Sequence, residues 1–565
     1  MKYSNSRRNF LRYSTLASLG LTFNPLSGLA NNEETKEKIV NENTPLAKGQ
    51  QVVTLLQTTD VHCQLHPHDE MFWENDNMVF RTAGGYAAIA SIFNKIKAGN
   101  PNTFIIDTGD MFQGSQLSVE TTGKAMQPIL NAMGYNLYLP GNWEVVYYKE
   151  AMQKLLGGLH APKVCANMYH DLGDGTKGEL IFPPYHTWSA GGIKIGFIGY
   201  TDPLVPVRQS PDYSKGIIYT KPEDNLEHYV TVLREQEQCD LVILLSHLGL
   251  SQQIALANSK ECKGVDYIFG GDTHERVRKP IRCTYAKVVE PGAFGSFVGR
   301  LDLIVEKGKI IKENYSLIEV KANELKPDAS VEKLVRENEQ PYVKKMNEVI
   351  GYSKVPLYRY FVVENTIDTL IIDALKWKVG TDIVLSNGFR FCPPRTKKDA
   401  TGNIPITEGF LYDMLPVDSQ VRTGKVTGTQ IKDWLEKELN NVFAKDASKR
   451  LGGWVVKFKG MKVEFKAFDE MGNRVKSILV NDQPIELSKL YSVCACEREG
   501  DAPDMLCRMP GVKDAVNTKY SLHQVLKDYL KENSPVSPLP EGNAIILDAP
   551  KQLLSQVTDV DYQFS

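Results

Sequence analysis

The chain has 565 residues, of which 42% are hydrophobic and 24% charged, with a formal net charge of -2. That length exceeds what one hydrophobic core fills, and the ordinary soluble composition predicts two or three domains. A balance this close to neutral excludes a global basic field for a nucleic acid polymer or an anionic membrane.

Residues 1–30 read as a twin-arginine signal peptide rather than as fold. Ser6-Arg7-Arg8-Asn9-Phe10-Leu11-Arg12 precedes an apolar stretch over 13–26, and Ala30 offers a small residue for cleavage. The stretch falls short of the ~20 residues that span a bilayer. The expectation is export by the twin-arginine route to the periplasm, with no transmembrane span. Residues 31–49, with Asn-Asn-Glu-Glu and Lys-Glu-Lys, read as a solvated linker.

From Gln51 the pattern becomes short apolar runs that end in polar residues. Residues 52–57 stop at Thr-Thr-Asp60, 103–106 at Asp107-Thr-Gly-Asp110, 241–245 at Ser246-His247, and 267–269 at Gly-Gly-Asp-Thr-His274. Such runs, bounded by Gly and Asp, predict buried strands, and 86–97 and 225–236 carry helical spacing between them. The alternation predicts a layered α/β domain over 50–325. A charged, mostly helical stretch broken at Pro341 predicts a connector over 326–350. A second α/β unit follows over 351–550. It has a helix at 366–379, strands at 383–385, 453–458, 461–465 and 491–496, and a tail at 551–565.

Ligands of α/β sheets sit beyond the carboxyl ends of the strands, where this sequence concentrates its unusual residues. Asp60 and His62 follow the first strand, Asp110 the second, Gly141-Asn142-Trp143-Glu144 a third; His247 and Asp272-Thr273-His274 complete the series. Three of the ten histidines thus fall at strand ends beside Asp and Asn. Two divalent ions fit this set better than one. Asp110 bridges them, with Asp60, His62 and His274 on one side and Asn142 and His247 on the other. Oxygen and imidazole ligands suit manganese, zinc or iron. Glu144 orients the Asn142 loop, and His66 and His68 belong to a solvated loop. The nine cysteines follow no zinc spacing and form no evident framework, leaving open a bridge to Cys507 from Cys494 or Cys496.

Asp-x-His, Gly-Asp, Gly-Asn-x-Glu, a lone His and Gly-Gly-x-x-His, in this order, resemble the calcineurin-like metallophosphoesterases. With its second unit, the chain resembles the 5′-nucleotidase family over residues 50–550. The resemblance implies a four-layer α/β/β/α metal domain followed by a smaller α/β substrate domain, with the site between them. It implies an ester hydrolase in which Asp110, Asn142 and Trp143 hold the catalytic positions. It also implies that Asn387, Phe389, Arg390, Gly500 and Asp501 bind substrate, Arg390 as a fork for an oxyanion.

Two departures from the family pattern stand out. Trp143 occupies the place of a histidine that polarises the leaving group, and an indole N–H cannot act as an acid. Asp272 occupies the place of a metal-binding histidine; as a ligand it would harden that site toward manganese or magnesium. The Trp-Glu pair is similar to the SoxB-type thiosulfohydrolases, as are Phe80-Arg81-x-x-Gly84-Gly85, Leu245-Ser246-His247-x-Gly249 and Gly388-Phe389-Arg390. Asn142, Asp272 and Gly500-Asp501 are unlike that branch. Three readings follow: a monomeric phosphate- or sulfate-ester hydrolase of the nucleotidase type, a thiosulfohydrolase acting on a carrier protein's cysteine S-thiosulfonate, and a binding protein that has lost catalysis.

Overall fold

The computed structural model describes residues 46–565 apart from 388, 390, 391, 556 and 558–565. The signal peptide, most of the linker and Arg390 therefore lie outside the described residues. Residues 46–565 form one compact unit.

Two sheets build the first half. In the first, Gln50–Thr58 is central, paired in parallel with Thr103–Asp107 and antiparallel with Phe297–Glu306; Leu137–Tyr138 and Lys309–Glu319 form its edges. In the second, Ile193–Thr201, Leu241–His247, Tyr267–Phe269 and Lys287–Val289 run parallel, flanked by antiparallel Tyr185–Ala190 and Ile281–Arg282. Every residue of Thr103–Asp107 and Leu241–His247 is buried, as expected for parallel strands covered on both faces. The sheets meet face to face, with Phe104 stacked on Phe197 at 5.0 Å between centroids. Tyr86–Gly99 covers the first sheet with Tyr86, Ile89 and Phe93, and Leu226–Thr231 and Leu250–Asn258 cover the second. The result is four layers, helix, sheet, sheet, helix, as the resemblance implies.

The connector runs as Ala329–Glu339 and Val343–Met346, interrupted at Pro341, whose ring cannot continue a helix. Val331 and Val335 pack into the first core. The second half holds a five-stranded sheet and a four-stranded sheet. Helix Thr366–Val379 starts where Asn365 accepts the amide of Asp368, and ends at left-handed Gly380. Helix Gly428–Phe443 starts at a capping box of Thr427 and Gln430.

One expected strand is mostly absent. Within 453–458, only the end joins a strand, Lys457–Lys459. Gly452 and Gly453 take φ of 80° and 81°, which no strand accommodates. Trp454 then donates its indole N–H to Arg359 O, and Val455 its amide to Val362 O. No bridge forms at Cys494, Cys496 or Cys507, since all nine thiols are free.

Candidate metal centre

The strand ends converge as the sequence predicts. Asp60, His62 and His274 offer ligand atoms within 4.8 Å of one another, and so do Asp60, Asp110 and His247. Asp60 Oδ1 lies 3.9 Å from His62 Nε2, 3.8 Å from His247 Nε2 and 3.4 Å from His274 Nε2. Asp110 Oδ2 lies 3.6 Å from His62 Nε2 and 3.2 Å from His247 Nε2. Both carboxylates thus face both groups of ligands, where the sequence singles out Asp110 alone as the bridge.

Hydrogen bonds at the rear of each imidazole decide which nitrogen faces inward. His62 Nδ1 donates to Gln113 O at 3.0 Å, and His247 Nδ1 to Thr108 O at 2.7 Å, so each presents Nε2 to the centre. Asp60 Oδ1, Asn142 Oδ1 and His247 Nε2 are buried without any hydrogen-bond partner. Buried polar atoms are rarely left so, and a cluster of oxygens and an imidazole nitrogen with none is what a divalent cation satisfies. The donor set fits the metal that the resemblance implies.

Electrostatics agree with this. Burial alone would push the Asp60 carboxyl up, but the imidazoles of His247, His274 and His62 outweigh it and hold the carboxyl well below its ordinary value. Burial lowers His62 to about 4, against the raising pull of Asp110 and Asp60, so its ring is neutral, with Nε2 3.2 Å from His274 Nε2.

The backbone here is unusual. Asp60, His62, Asp110, Asp272 and His274 all take positive φ, between 50° and 87°. Non-glycine residues rarely hold this conformation, at a cost of ~1–3 kcal/mol each, and it clusters at functional sites. Glu144 supplies part of the restraint. Its carboxylate accepts the amides of Gly141, Asp110 and Met111, tying two strand-end loops together. Burial and the charge of Asp110 push that carboxyl up to about 8 despite the amides. Gly141 permits the approach, since a Cβ there would stand 2.3 Å from Asp110 Oδ1.

A cavity of about 120 Å³ opens over the centre, lined by both halves of the molecule. Asp110, Asn142, Trp143, Asp272 and His274 form its floor, and Asn387 and Phe389 reach it from the second half. Trp143 donates its backbone amide to Asp110 Oδ1 at 2.8 Å, and its ring lies 6.1 Å from that of Phe389 at 30°. Gly500 and Asp501 are not part of this lining. Asp501 instead pairs with Arg498, which donates to Val207 O, and Gly500 abuts Asp212, so the segment clamps the two halves together. His66 pairs with Glu339 of the connector at 2.6 Å, whereas His68, expected in a solvated loop, is half-buried at the start of strand His68–Glu74 and bonds to O of Phe294, whose ring packs on His62 and His274.

The structure adds residues that no motif announced: Arg208, Gln209, Glu438, Asn441, Trp454 and Arg508. Glu438, Asn441 and Val442 share a helix face by their spacing. Gln209 keeps both amide atoms, and Asn441 its Nδ2, buried without a partner. Arg208 contacts Asp202, which follows the Ile193–Thr201 strand; that strand-end acid was the available signal.

The family model for calcineurin-like phosphoesterases matches residues 53–276, and that for the 5′-nucleotidase C-terminal domain matches 349–497. A 5′-nucleotidase of Vibrio cholerae is 22% identical over 531 residues, 86% of this chain and 91% of that protein. The trifunctional nucleotide phosphoesterase YfkN of Bacillus subtilis is 25% identical over 80% of this chain, and the chain spans 33% of that longer protein. Among solved structures, the sulfate thiohydrolase SoxB of Thermus thermophilus superposes with a TM-score of 0.79 at 23% identity, covering 91% of this chain and 99% of that one. A 5′-nucleotidase precursor from the same organism gives 0.75 at 24% identity, over 88% and 100%.

Proposed function

The chain belongs to the calcineurin-like phosphoesterases that carry a 5′-nucleotidase C-terminal domain, hydrolases of phosphoester bonds, and from that premise we propose that it is an exported, monomeric two-metal hydrolase of small oxyanion esters. The observation that carries this reading is the pair of Asp/His groups sharing Asp60 beneath a cavity walled by both domains. Asp60, His62, Asp110, His247, His274 and Asn142 would hold the ions, a mixed set of oxygen and imidazole donors that suits manganese first, with zinc or iron as alternatives. When bound, such a pair stabilises charge on a transferring group and lowers the pKa of an attacking water. The protein's own part is positional. His62 and His247 hold their rings through backbone carbonyls, Trp143 and Phe389 exclude water on one side, and Gln209 and Asn441 offer amides to the bound molecule.

A nucleobase sandwiched between Trp143 and Phe389 would need roughly 7 Å, two contact distances of ~3.5 Å, and the rings are 6.1 Å apart. That favours a compact substrate over a nucleotide stacked in this slot.

Trp143 also supports a second reading, a thiosulfohydrolase acting on a cysteine S-thiosulfonate of a carrier protein. With no acid at that position, a leaving group stable as an anion is favoured, and the persulfide left on the carrier's cysteine is one. Water would add to the terminal sulfur of Cys-S-S-SO3−, the S–S bond to that sulfur would break, and the persulfide Cys-S-S− would depart with the bonding pair as sulfate forms and protons pass to solvent.

The test is an assay of manganese-loaded protein against p-nitrophenyl phosphate, a nucleoside monophosphate and a cysteine S-thiosulfonate peptide, with metal content measured alongside. Turnover of the phosphate esters supports the first reading; sulfate release from the peptide alone supports the second. A protein with two bound metals that turns over none of them is a binding protein instead.

A further inference from the structure

Asp272 stands where the strand-end series places a metal ligand, yet its carboxylate is already engaged by the protein. Arg208 Nη2 donates to both oxygens, at 2.9 Å to Oδ1 and 3.0 Å to Oδ2. Arg208 Nη1 donates to Asp202 Oδ2 at 2.7 Å. Asp202 is wholly buried at the end of the Ile193–Thr201 strand, and its Oδ1 accepts the amide of Leu204 at 2.9 Å. The guanidinium is therefore held from one side by a fixed acid and grips Asp272 from the other.

The far side of Asp272 meets Asn142. Asn142 Nδ2 donates to Asp272 Oδ1 at 2.8 Å. A primary amide whose nitrogen is committed in one direction points its oxygen the other way. Asn142 Oδ1 is buried and makes no hydrogen bond, in a cavity floor that also includes Asp110 and His274. Among the described residues, Asp272 does not join the clusters of convergent ligand atoms, although its neighbour His274 belongs to one of them.

We propose that Asp202, Arg208 and Asp272 form a positioning relay that aims Asn142 Oδ1 at the metal centre, so that Asp272 acts through Asn142 and not as a ligand; this rests on the metal-centre reading above. Arg208 keeps the carboxylate turned away from the ions, and Asp272 fixes which end of the carboxamide faces them. Polar partners behind a ligand of this kind are worth 10–100-fold in metal affinity. The relay explains how aspartate stands at a histidine position without adding a third carboxylate to the ligand set. It also makes Arg208, which no motif singles out, a positioning residue for the centre.

The test is a double-mutant cycle on the manganese affinity of the full chain, read by calorimetry and by the spin-coupled signature of a manganese pair in electron paramagnetic resonance. Asp272→Ala is expected to lower affinity for one ion by about 10–100-fold and to replace the coupled signal with that of isolated manganese. In an Asn142→Ala background the same change is expected to cost at least about tenfold less. Asp272→Asn, which keeps an acceptor for the Asn142 amide, retains most of the affinity and the coupled signal. Equal losses in both backgrounds, or a loss in Asp272→Asn as large as in Asp272→Ala, would overturn the relay and make Asp272 a ligand. If Asp272→Ala does not fold, as judged by circular dichroism and Tm, Arg208→Met decides: loss of affinity and of the coupled signal supports the relay, and unchanged or tighter binding overturns it. A wild-type chain that binds no metal at all would instead sink the reading on which the relay rests.

Discussion

The cavity has two walls built on different principles. On the first-domain side, Asp60, His62, Asp110, Asn142 and His247 are buried to within a few per cent, the loops are pinned by backbone carbonyls and amides, and the backbone is left-handed at five positions. On the second-domain side, the lining comes from one helix face, the loop over 451–454, Asn387, Phe389 and Arg508, and the Asn441 amide nitrogen has no hydrogen-bond partner. One wall is over-determined by its own hydrogen bonds; the other keeps the Asn441 amide nitrogen without a protein partner. This is how a fold fixes one reaction while leaving the substrate to vary. Damage to the first wall should therefore remove metal and turnover together, and damage to the second should shift substrate affinity alone.

The largest effect belongs to Asp60→Ala. It deletes the carboxylate common to both ligand groups and the acceptor of the Asp272 amide and Thr59 hydroxyl. Bound metal, measured by mass spectrometry, is expected to fall below one ion per chain, with turnover down by about a thousandfold or more. Two ions retained in this variant would break the comparison at its root.

Gly141→Ala strikes the same wall without replacing a ligand. The added Cβ meets Asp110 N at 2.5 Å as well as Asp110 Oδ1, so the two loops that Glu144 joins must separate. A displacement of about 1 Å costs on the order of 10²-fold in rate, and overpacking costs about 1–3 kcal/mol of stability. Steady-state kinetics and chemical denaturation on one preparation check both. On the opposite wall, Asn441→Ala is expected to raise KM by about tenfold, the value of one buried hydrogen bond (about 1.4 kcal/mol), with metal content unchanged. A fall in kcat with KM constant would move Asn441 from the second wall to the first.

The same contrast governs what the sequence reveals. Asp60, His62, Asp110, Asn142, His247 and His274 were legible because each ends an apolar run, and strand polarity sends such residues to one edge of a sheet. The layered architecture was legible for a related reason, since parallel strands covered on both faces are continuous apolar runs. The second wall offers no such rule. Glu438 and Asn441 sit on an ordinary amphipathic helix, and Trp454 reaches the cavity only because two left-handed glycines turn the chain out of an expected strand. Asp501 illustrates the reverse case: a recognisable segment proved to contact Arg498 at the seam between domains. Which long-range partner claims a charged side chain is a tertiary fact, and neither Asp272 nor Asp501 advertises its arginine in the local sequence.

The smallest expected effect lies behind the centre, at the seam where Asp413, Gln64 and Arg395 line a second cavity. Burial raises the Asp413 carboxyl to about 7, even though Arg395 and a hydrogen bond from Gln64 pull it down. In the unfolded chain the same group ionises near its ordinary value of about 3.9. Between these values the native state binds more protons than the unfolded state, so this group makes stability fall as pH rises from about 4 to about 7. Asp413→Asn removes the titration while keeping the shape. The difference in Tm between variant and wild type is therefore expected to grow in the variant's favour across that window and to level off above it. Other groups titrate in both proteins and cancel in the difference. Parallel Tm curves from pH 4 to 8 would show that Asp413 is solvated at the seam, and that the two domains meet there less closely than at the metal centre.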